Sequence, residues 1–158
     1  SITVQRVSWN PIGLEIMSRP YPGFSTDWGP LIQVLMTQLP ASSTFHETIF
    51  SQRFAHISEL VKMGATIHYL DLPADESLYN FTPTPEVDRH HSVEIRGPSQ
   101  LHATVVHAND VRAGAALVLS GIIASGVTEV MRIEQAERGY EAFAERLNQL
   151  GAAIQQEH

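Results

Sequence analysis

Asp27 closes the run Ser-Thr-Asp inside YPGFSTDWGP (residues 21–30), a stretch rich in Pro, Gly and aromatic side chains. A carboxylate in such a place has two uses. It can cap the helix that the following apolar run begins, because Ser, Thr and Asp are what a helix start selects. It can also take a proton from a hydroxyl held within hydrogen-bond reach. Asp110 occupies a similar place, in Asn-Asp ahead of a second apolar run. Arg112 follows Asp110 closely, and Arg138 precedes the last amphipathic run. A helix start attracts anions, and guanidinium forks placed there can build a pocket for a small one. Taken singly, an Arg on a helix is ordinarily a solvated surface charge.

Other chemistries find less support. There are eight histidines, but no spacing that matches a known metal site. HETIF at His46 begins like a zinc-protease helix and then has Phe50 where a second His is needed. His90 and His91 are sequence neighbours, and His68, His102 and His107 fall on expected strands without a carboxylate beside them. No metal and no cofactor are expected. Neither a Gly-rich phosphate loop nor a Gly-x-Ser-x-Gly elbow is present. Cysteine is absent, which excludes disulfides and thiolate chemistry within these residues and fits a cytoplasmic setting. The net charge of −7 argues against a basic face for nucleic acid. No apolar run reaches the ~18 residues of a membrane span. The first residues lack the shape of a secretory signal, and no Met begins them, as in a piece of a longer chain.

The elements that must position these residues follow from hydrophobic spacing. A strand is expected over residues 2–7, then a turn-rich stretch. A helix from Asp27 to Gln38 carries Leu31, Val34 and Leu35, with Pro30 in its first turn. Ser43–Phe50 reads as a strand. Arg53–Gly64 reads as a helix with Phe54, Ile57, Leu60 and Val61 on one side and Gly64 as its stop. Ala65–Leu72 reads as a strand. Residues 73–92 hold several prolines and charges and read as an exposed excursion. SVEIRG and LHATVVHA read as strands about a Gly-Pro turn. Asn109–Gly126 reads as a helix whose small residues let it sit deep among its neighbours. Val127–Ile133 reads as a strand, Arg138–Ala152 as a helix with Tyr140, Phe143, Leu147 and Leu150 inward, and AAIQQ as a last strand.

The pattern helix, strand, helix, strand therefore occurs twice, with Asp27 matching Asp110 and Gly64 matching Gly151. The expected fold is α/β (α+β): two repeated βαβαβ-type units, at about 20–72 and 101–158, with a Pro-rich insertion at about 73–100.

Four motifs, taken as a set, resemble the enolpyruvyl transferase family: PGFSTD (Pro22–Asp27), ETIFSQRFAHISELVKMGA (Glu47–Ala65), NDVRAGAALVLSGIIASGVT (Asn109–Thr128) and ERGYEAFAERLNQLGAAI (Glu137–Ile154). The likeness is nearest to the branch that acts on UDP-N-acetylglucosamine. It implies transfer of an enolpyruvyl group from phosphoenolpyruvate to the sugar 3′-hydroxyl with release of phosphate, as in peptidoglycan precursor synthesis. In the family this fold is part of one lobe of an inside-out barrel. The resemblance covers only part of one lobe, so a missing N-terminal lobe of the same protein is an implied partner. That lobe carries the catalytic acid loop in the family, so these residues alone are expected to be inactive.

Residue by residue, the resemblance implies that Asp27 contacts the sugar hydroxyl and acts as its base. It implies that Arg53, Arg112 and Arg138 bind phosphoenolpyruvate, and that Ile49 and Phe50 line the uridine-sugar site. For Ile49 and Phe50, core packing is an equal alternative. Thr26 is expected to help fix Asp27, and Asp110 to remain a cap and a partner for a nearby Arg. Two other readings stay open: a related transferase with another acceptor, such as shikimate 3-phosphate or a nucleotide, and a non-catalytic binding domain that kept the fold. An apolar face left uncovered by the missing units is expected to drive self-association.

Overall fold

The computed structural model describes residues 12–70, 76–82 and 91–156. The strand expected over residues 2–7 and much of the expected excursion lie outside these residues. Six strands and five α-helices follow in order: β1 (Glu15–Met17), α1 (Gly29–Met36), β2 (Ser42–His46), α2 (Ile57–Lys62), β3 (Thr66–Leu70), β4 (Ser92–Arg96), β5 (Val105–His107), α3 (Val111–Ile123), β6 (Glu129–Met131), α4 (Glu134–Gly139) and α5 (Phe143–Gln149). Short 3-10 turns at Thr26–Trp28 and Glu76–Leu78 complete the set.

The architecture is mixed α/β. β1, α1 and β2 form one crossover unit, whose strands pair in parallel with Glu15 opposite Thr44. β5, α3 and β6 form a second, with Val105 opposite Glu129. A parallel pair needs such a crossover, because the chain must return to the same end before the next strand. The larger sheet has the order β1-β2-β4-β3, and β4 runs antiparallel to both neighbours. β4 falls within the Pro-rich stretch, yet it is interior to the sheet and its Val93 and Ile95 are fully buried. Neither sheet closes into a barrel among the described residues.

The core lies between the larger sheet and the helices. Phe45 points inward from β2 while Thr44 and His46 point away, as strand alternation requires. Phe45 meets Met36, Ile57, Leu60, Met63, Ile95 and Leu117 in one apolar cluster. α3 packs on both α1 and α4. Its small residues make this possible. A methyl added at Gly114 would lie 2.7 Å from the Ala136 Cβ of α4, and one at Gly139 would lie 2.3 Å from Val111 Cγ1.

Several sequence expectations are corrected. β2 ends at His46 rather than Phe50; past a last backbone bond from Glu47 N to His91 O, the Glu47 and Thr48 side chains are buried in hydrogen bonds with Ser18 and Thr26. α2 begins at Ile57 rather than Arg53, with His56 as its N-cap; Gln52, ahead of Arg53, adopts a left-handed φ of 58°. Val61 is exposed, and Met63 fills the core in its place. The helix expected over 138–152 is two helices. α4 stops at Gly139, Ala142 takes a left-handed φ of 51°, and α5 starts afresh with no buried residue. Leu150 is 86% exposed rather than inward. Residues 152–156 form no strand. Gly64 and Gly151 do end their helices, with φ of +99° and +103°, a region that costs Gly nothing and other residues about 1 kcal/mol or more.

Candidate functional site

Each crossover unit sends its strand-to-helix connections out at the carboxyl ends of its strands. Asp27 follows β1, Ile49, Phe50 and Arg53 follow β2, and Asp110 and Arg112 follow β5. Arg138 follows β6 on α4. Open α/β sheets place ligands at such strand ends.

The two acids have separate jobs. Asp110 is the N-cap of α3, its extended backbone at φ −152° and its Oδ1 accepting from Arg112 N (2.8 Å) and Ala113 N (3.0 Å). Asp27 caps nothing. Ser25 caps the 3-10 turn, with its Oγ accepting from Asp27 N at 3.4 Å, and α1 starts on Trp28 without any side-chain cap. Of the two uses open to Asp27, the helix cap is therefore not the one observed. A neighbouring Ser does that work, and the Asp27 carboxylate is left to face other groups.

Those groups are two arginines. Arg112 Nε donates to Asp27 Oδ1 in a short contact, and Arg53 Nη1 lies 4.0 Å from the same oxygen. Asp27 Oδ2 carries no hydrogen bond among the described residues. Asp27 is more than half exposed, whereas the Arg53 side chain is only 16% exposed. Arg53 nevertheless donates no hydrogen bond to any described protein group; its guanidinium lies over the Phe50 ring, 4.4 Å from the centroid. Burial and then the charge of Arg112 pull Arg53 below its usual pKa, while Asp27, Glu47 and Asp110 oppose that shift. A guanidinium fork whose N–H groups no described protein group takes can bind an anion.

Phe50 is 48% exposed, so it is a loop residue with a usable face and not a core residue; Ile49 beside it is half-buried. Thr26 is buried, and its hydroxyl donates to Glu47 Oε2 at 2.7 Å. Arg138 is exposed at the last turn of α4. It forms no ion pair among the described residues, although its neighbour Gly139 sits against Val111 at the start of α3.

Three features were not singled out in the sequence. Glu47 is buried behind the site and accepts from several donors. The ETIF motif contained it, but burial of its carboxylate had no sequence signal. His56, the residue just ahead of α2, is buried, with Nε2 2.9 Å from Gln33 Oε1. Desolvation lowers its pKa to about 4, with Asp110 opposing. Residues 76–82 dock back onto the sheet end: Asn80 N donates to Thr48 O at 2.8 Å, and the Tyr79 hydroxyl meets His46 Nε2 at 2.9 Å. This part of the expected excursion is anchored. Among the described residues, no three His, Asp or Glu side chains group as metal ligands, and no helix is long and apolar enough to cross a membrane.

The family described as EPSP synthase (3-phosphoshikimate 1-carboxyvinyltransferase) matches residues 1–147. The chain belongs to this family. Among the relatives is the UDP-N-acetylglucosamine 1-carboxyvinyltransferase of Desulfatibacillum aliphaticivorans, 40% identical over 141 residues, or 89% of the chain and 29% of that protein. The enzyme of the same name from Halothermothrix orenii is 42% identical over 141 residues, again 89% of the chain and 29% of the relative. The crystal structure of the enolpyruvyl transferase NikO from Streptomyces tendae shares the fold, with a TM-score of 0.71, 23% identity, and coverage of 90% of the chain and 29% of NikO. The chain therefore spans under a third of the length of these family members.

Proposed function

We propose that the chain supplies one wall of an enolpyruvyl transferase site, the acceptor being UDP-N-acetylglucosamine and the donor phosphoenolpyruvate. The observation that carries this reading is Arg53: its side chain is largely buried, donates no hydrogen bond among the described residues, and lies beside Asp27 and Arg112. Phosphoenolpyruvate presents a carboxylate and a phosphate, each a planar or trigonal array of oxygens that a guanidinium fork matches. Arg53 and Arg112 bind one of these groups, and Arg138 reaches the other from the end of α4. Arg112 holds Asp27 by Oδ1, which leaves Oδ2 for the sugar 3′-hydroxyl.

In the addition step the hydroxyl oxygen bonds to C2 of phosphoenolpyruvate, its proton passes to Asp27, and C3 gains a proton from an acid outside these residues. In the elimination step the C2–O bond to phosphate breaks, C3 loses a proton, and the enol ether and free phosphate leave. Ile49 and Phe50 form the apolar side of the acceptor site, and Thr26 supports Asp27 through Glu47. The names of the relatives favour the UDP-sugar acceptor and thus peptidoglycan precursor synthesis in the cytoplasm, with a second lobe of the same protein closing the cleft.

The test is phosphate release by the full-length protein, given phosphoenolpyruvate with UDP-N-acetylglucosamine or with shikimate 3-phosphate. Release with the sugar nucleotide, lowered at least a hundredfold in Asp27→Asn, supports the proposal. Release only with shikimate 3-phosphate reassigns the acceptor, and no release with either removes the enzymatic reading.

A further inference from the structure

Glu47 lies just past β2 with 1% of its surface exposed, and four donors converge on its carboxylate. Ser18 Oγ (2.7 Å), Ile49 N (2.7 Å) and Phe50 N (3.2 Å) donate to Oε1. Thr26 Oγ1 donates to Oε2 at 2.7 Å. These donors come from two different connections. Ser18 and Thr26 bound the segment between β1 and α1, whereas Ile49 and Phe50 lie between β2 and α2. Thr26 is bonded directly to Asp27 in sequence, and the Phe50 ring underlies Arg53. One buried carboxylate thus spans the proton acceptor on one side and the anion-binding arginine on the other.

The residue type is dictated by the donors. An ionised carboxylate accepts at about four lone-pair sites and donates at none. Four donors aimed at one side chain suit that group. An amide would keep an acceptor for the three donors on one oxygen but would force the Thr26 hydroxyl to accept instead of donate, and an apolar side chain would leave all four donors unpaired in the interior.

We propose that Glu47 is the positioning residue of the site, fixing the Asp27 turn and the Ile49–Phe50 loop in one register. It touches no substrate; it acts through Thr26 on Asp27 and through Phe50 on Arg53 and the acceptor. The inference rests on the enolpyruvyl transferase reading above, and its two branches are separable. Thr26→Val cuts the branch to Asp27 alone. Glu47→Gln disturbs both.

In the full-length protein, Thr26→Val is expected to lower kcat about tenfold with the acceptor KM within twofold of wild type. Glu47→Gln is expected to lower kcat about tenfold and also raise the acceptor KM about fivefold. Wild-type kcat and KM in both variants, with only the melting temperature reduced, overturn the proposal. A second arm does not depend on activity: amide hydrogen exchange at Ile49 and Phe50. In Glu47→Gln these two amides are expected to exchange at least tenfold faster, while those of Ala115–Leu117 in α3 keep their rates. Unchanged exchange at Ile49 and Phe50 overturns the proposal as well. If the wild-type protein releases no phosphate with either acceptor, the transferase reading fails, and the exchange arm still decides whether Glu47 fixes the loop.

Discussion

Arg112 and Asp27 meet side chain to side chain across 85 residues of sequence. Arg112 leaves the first turn of α3, whose backbone is already capped by Asp110, and reaches the turn before α1. The contact joins the two crossover units at the point where their strand ends open, and it orients the carboxylate proposed to take the substrate proton.

A point charge does not replace this contact. Nε of a guanidinium engages Asp27 while the remaining N–H groups stay available for an anion, and a lysine ammonium cannot do both from one plane. Arg112→Lys is expected to lower kcat/KM for phosphoenolpyruvate by about tenfold to a hundredfold, measured by phosphate release in the full-length protein. A value within twofold of wild type would remove Arg112 from the site.

The two acids differ in what they do for stability. Asp110→Ala leaves Arg112 N and Ala113 N without their cap and should cost about 1 kcal/mol. Asp27→Ala removes no cap and only the solvent-screened ion pairs with Arg112 and Arg53, which contribute about a few tenths of a kcal/mol. Urea unfolding of both variants checks the contrast, and equal losses would contradict the assignment of the cap to Asp110 alone.

His56 makes stability depend on pH. Its folded pKa is lowered to about 4 from 6.5 by burial, so the unfolded chain binds a proton in a range where the folded chain does not. This contribution is fully present above pH 6.5 and is lost as pH falls toward 4, by on the order of 3 kcal/mol in all. His46, lowered by burial and by His91, adds to the loss with the same sign. The slope of unfolding free energy between pH 6.5 and 4 should be shallower in His56→Gln by about one proton. An unchanged slope would mean that His56 titrates normally in the folded protein.

Phe50→Ala removes the ring beneath Arg53. A cation–π contact at a partly exposed site contributes about 0.5–1 kcal/mol, so KM for phosphoenolpyruvate should rise about two- to fivefold while the melting temperature hardly moves. A large fall in melting temperature would instead mark Phe50 as a packing residue.

Gly139 can be tested by steric means. The methyl of Gly139→Ala would enter at 2.3 Å from Val111 Cγ1, and overpacking of this kind costs about 1–3 kcal/mol. α4 should move away from α3 and carry Arg138 with it. A lower melting temperature together with weaker phosphoenolpyruvate binding by calorimetry is expected; loss of stability alone would place Arg138 outside the anion site.

What the sequence shows and what it hides divides along physical lines. Local signals held. Pro30 sits in the first turn of α1, Gly64 and Gly151 stop their helices, and the Ala-Gly run of α3 is the buried stripe its small side chains suggest. Asp27 was ambiguous because Ser25, two residues earlier, offers the same capping chemistry, and only three-dimensional placement decides which side chain turns back. Tyr140, Phe143, Leu147 and Leu150 have helical spacing, but spacing cannot register the left-handed Ala142 that divides the segment. Glu47 and His56 look polar in any window, and their burial depends on partners from distant strands and helices. The fold class was legible because periodicity is local. The hub behind the site was not, since the hydrogen bonds that tie it to Ser18 and Thr26 span 29 and 21 residues of chain.

The place of β4 has a consequence for how the protein emerges from the ribosome. Thr44 pairs with Glu94, and Glu94 pairs with His68, so the two earlier strands have no direct contact and must wait for a third. Until residue 96 has left the exit tunnel, β2 holds only its parallel partner β1 and β3 holds none, and the long-range pairing makes completion of the sheet a slow step. Truncating the message before β4 should therefore give nascent chains that stay protease-sensitive.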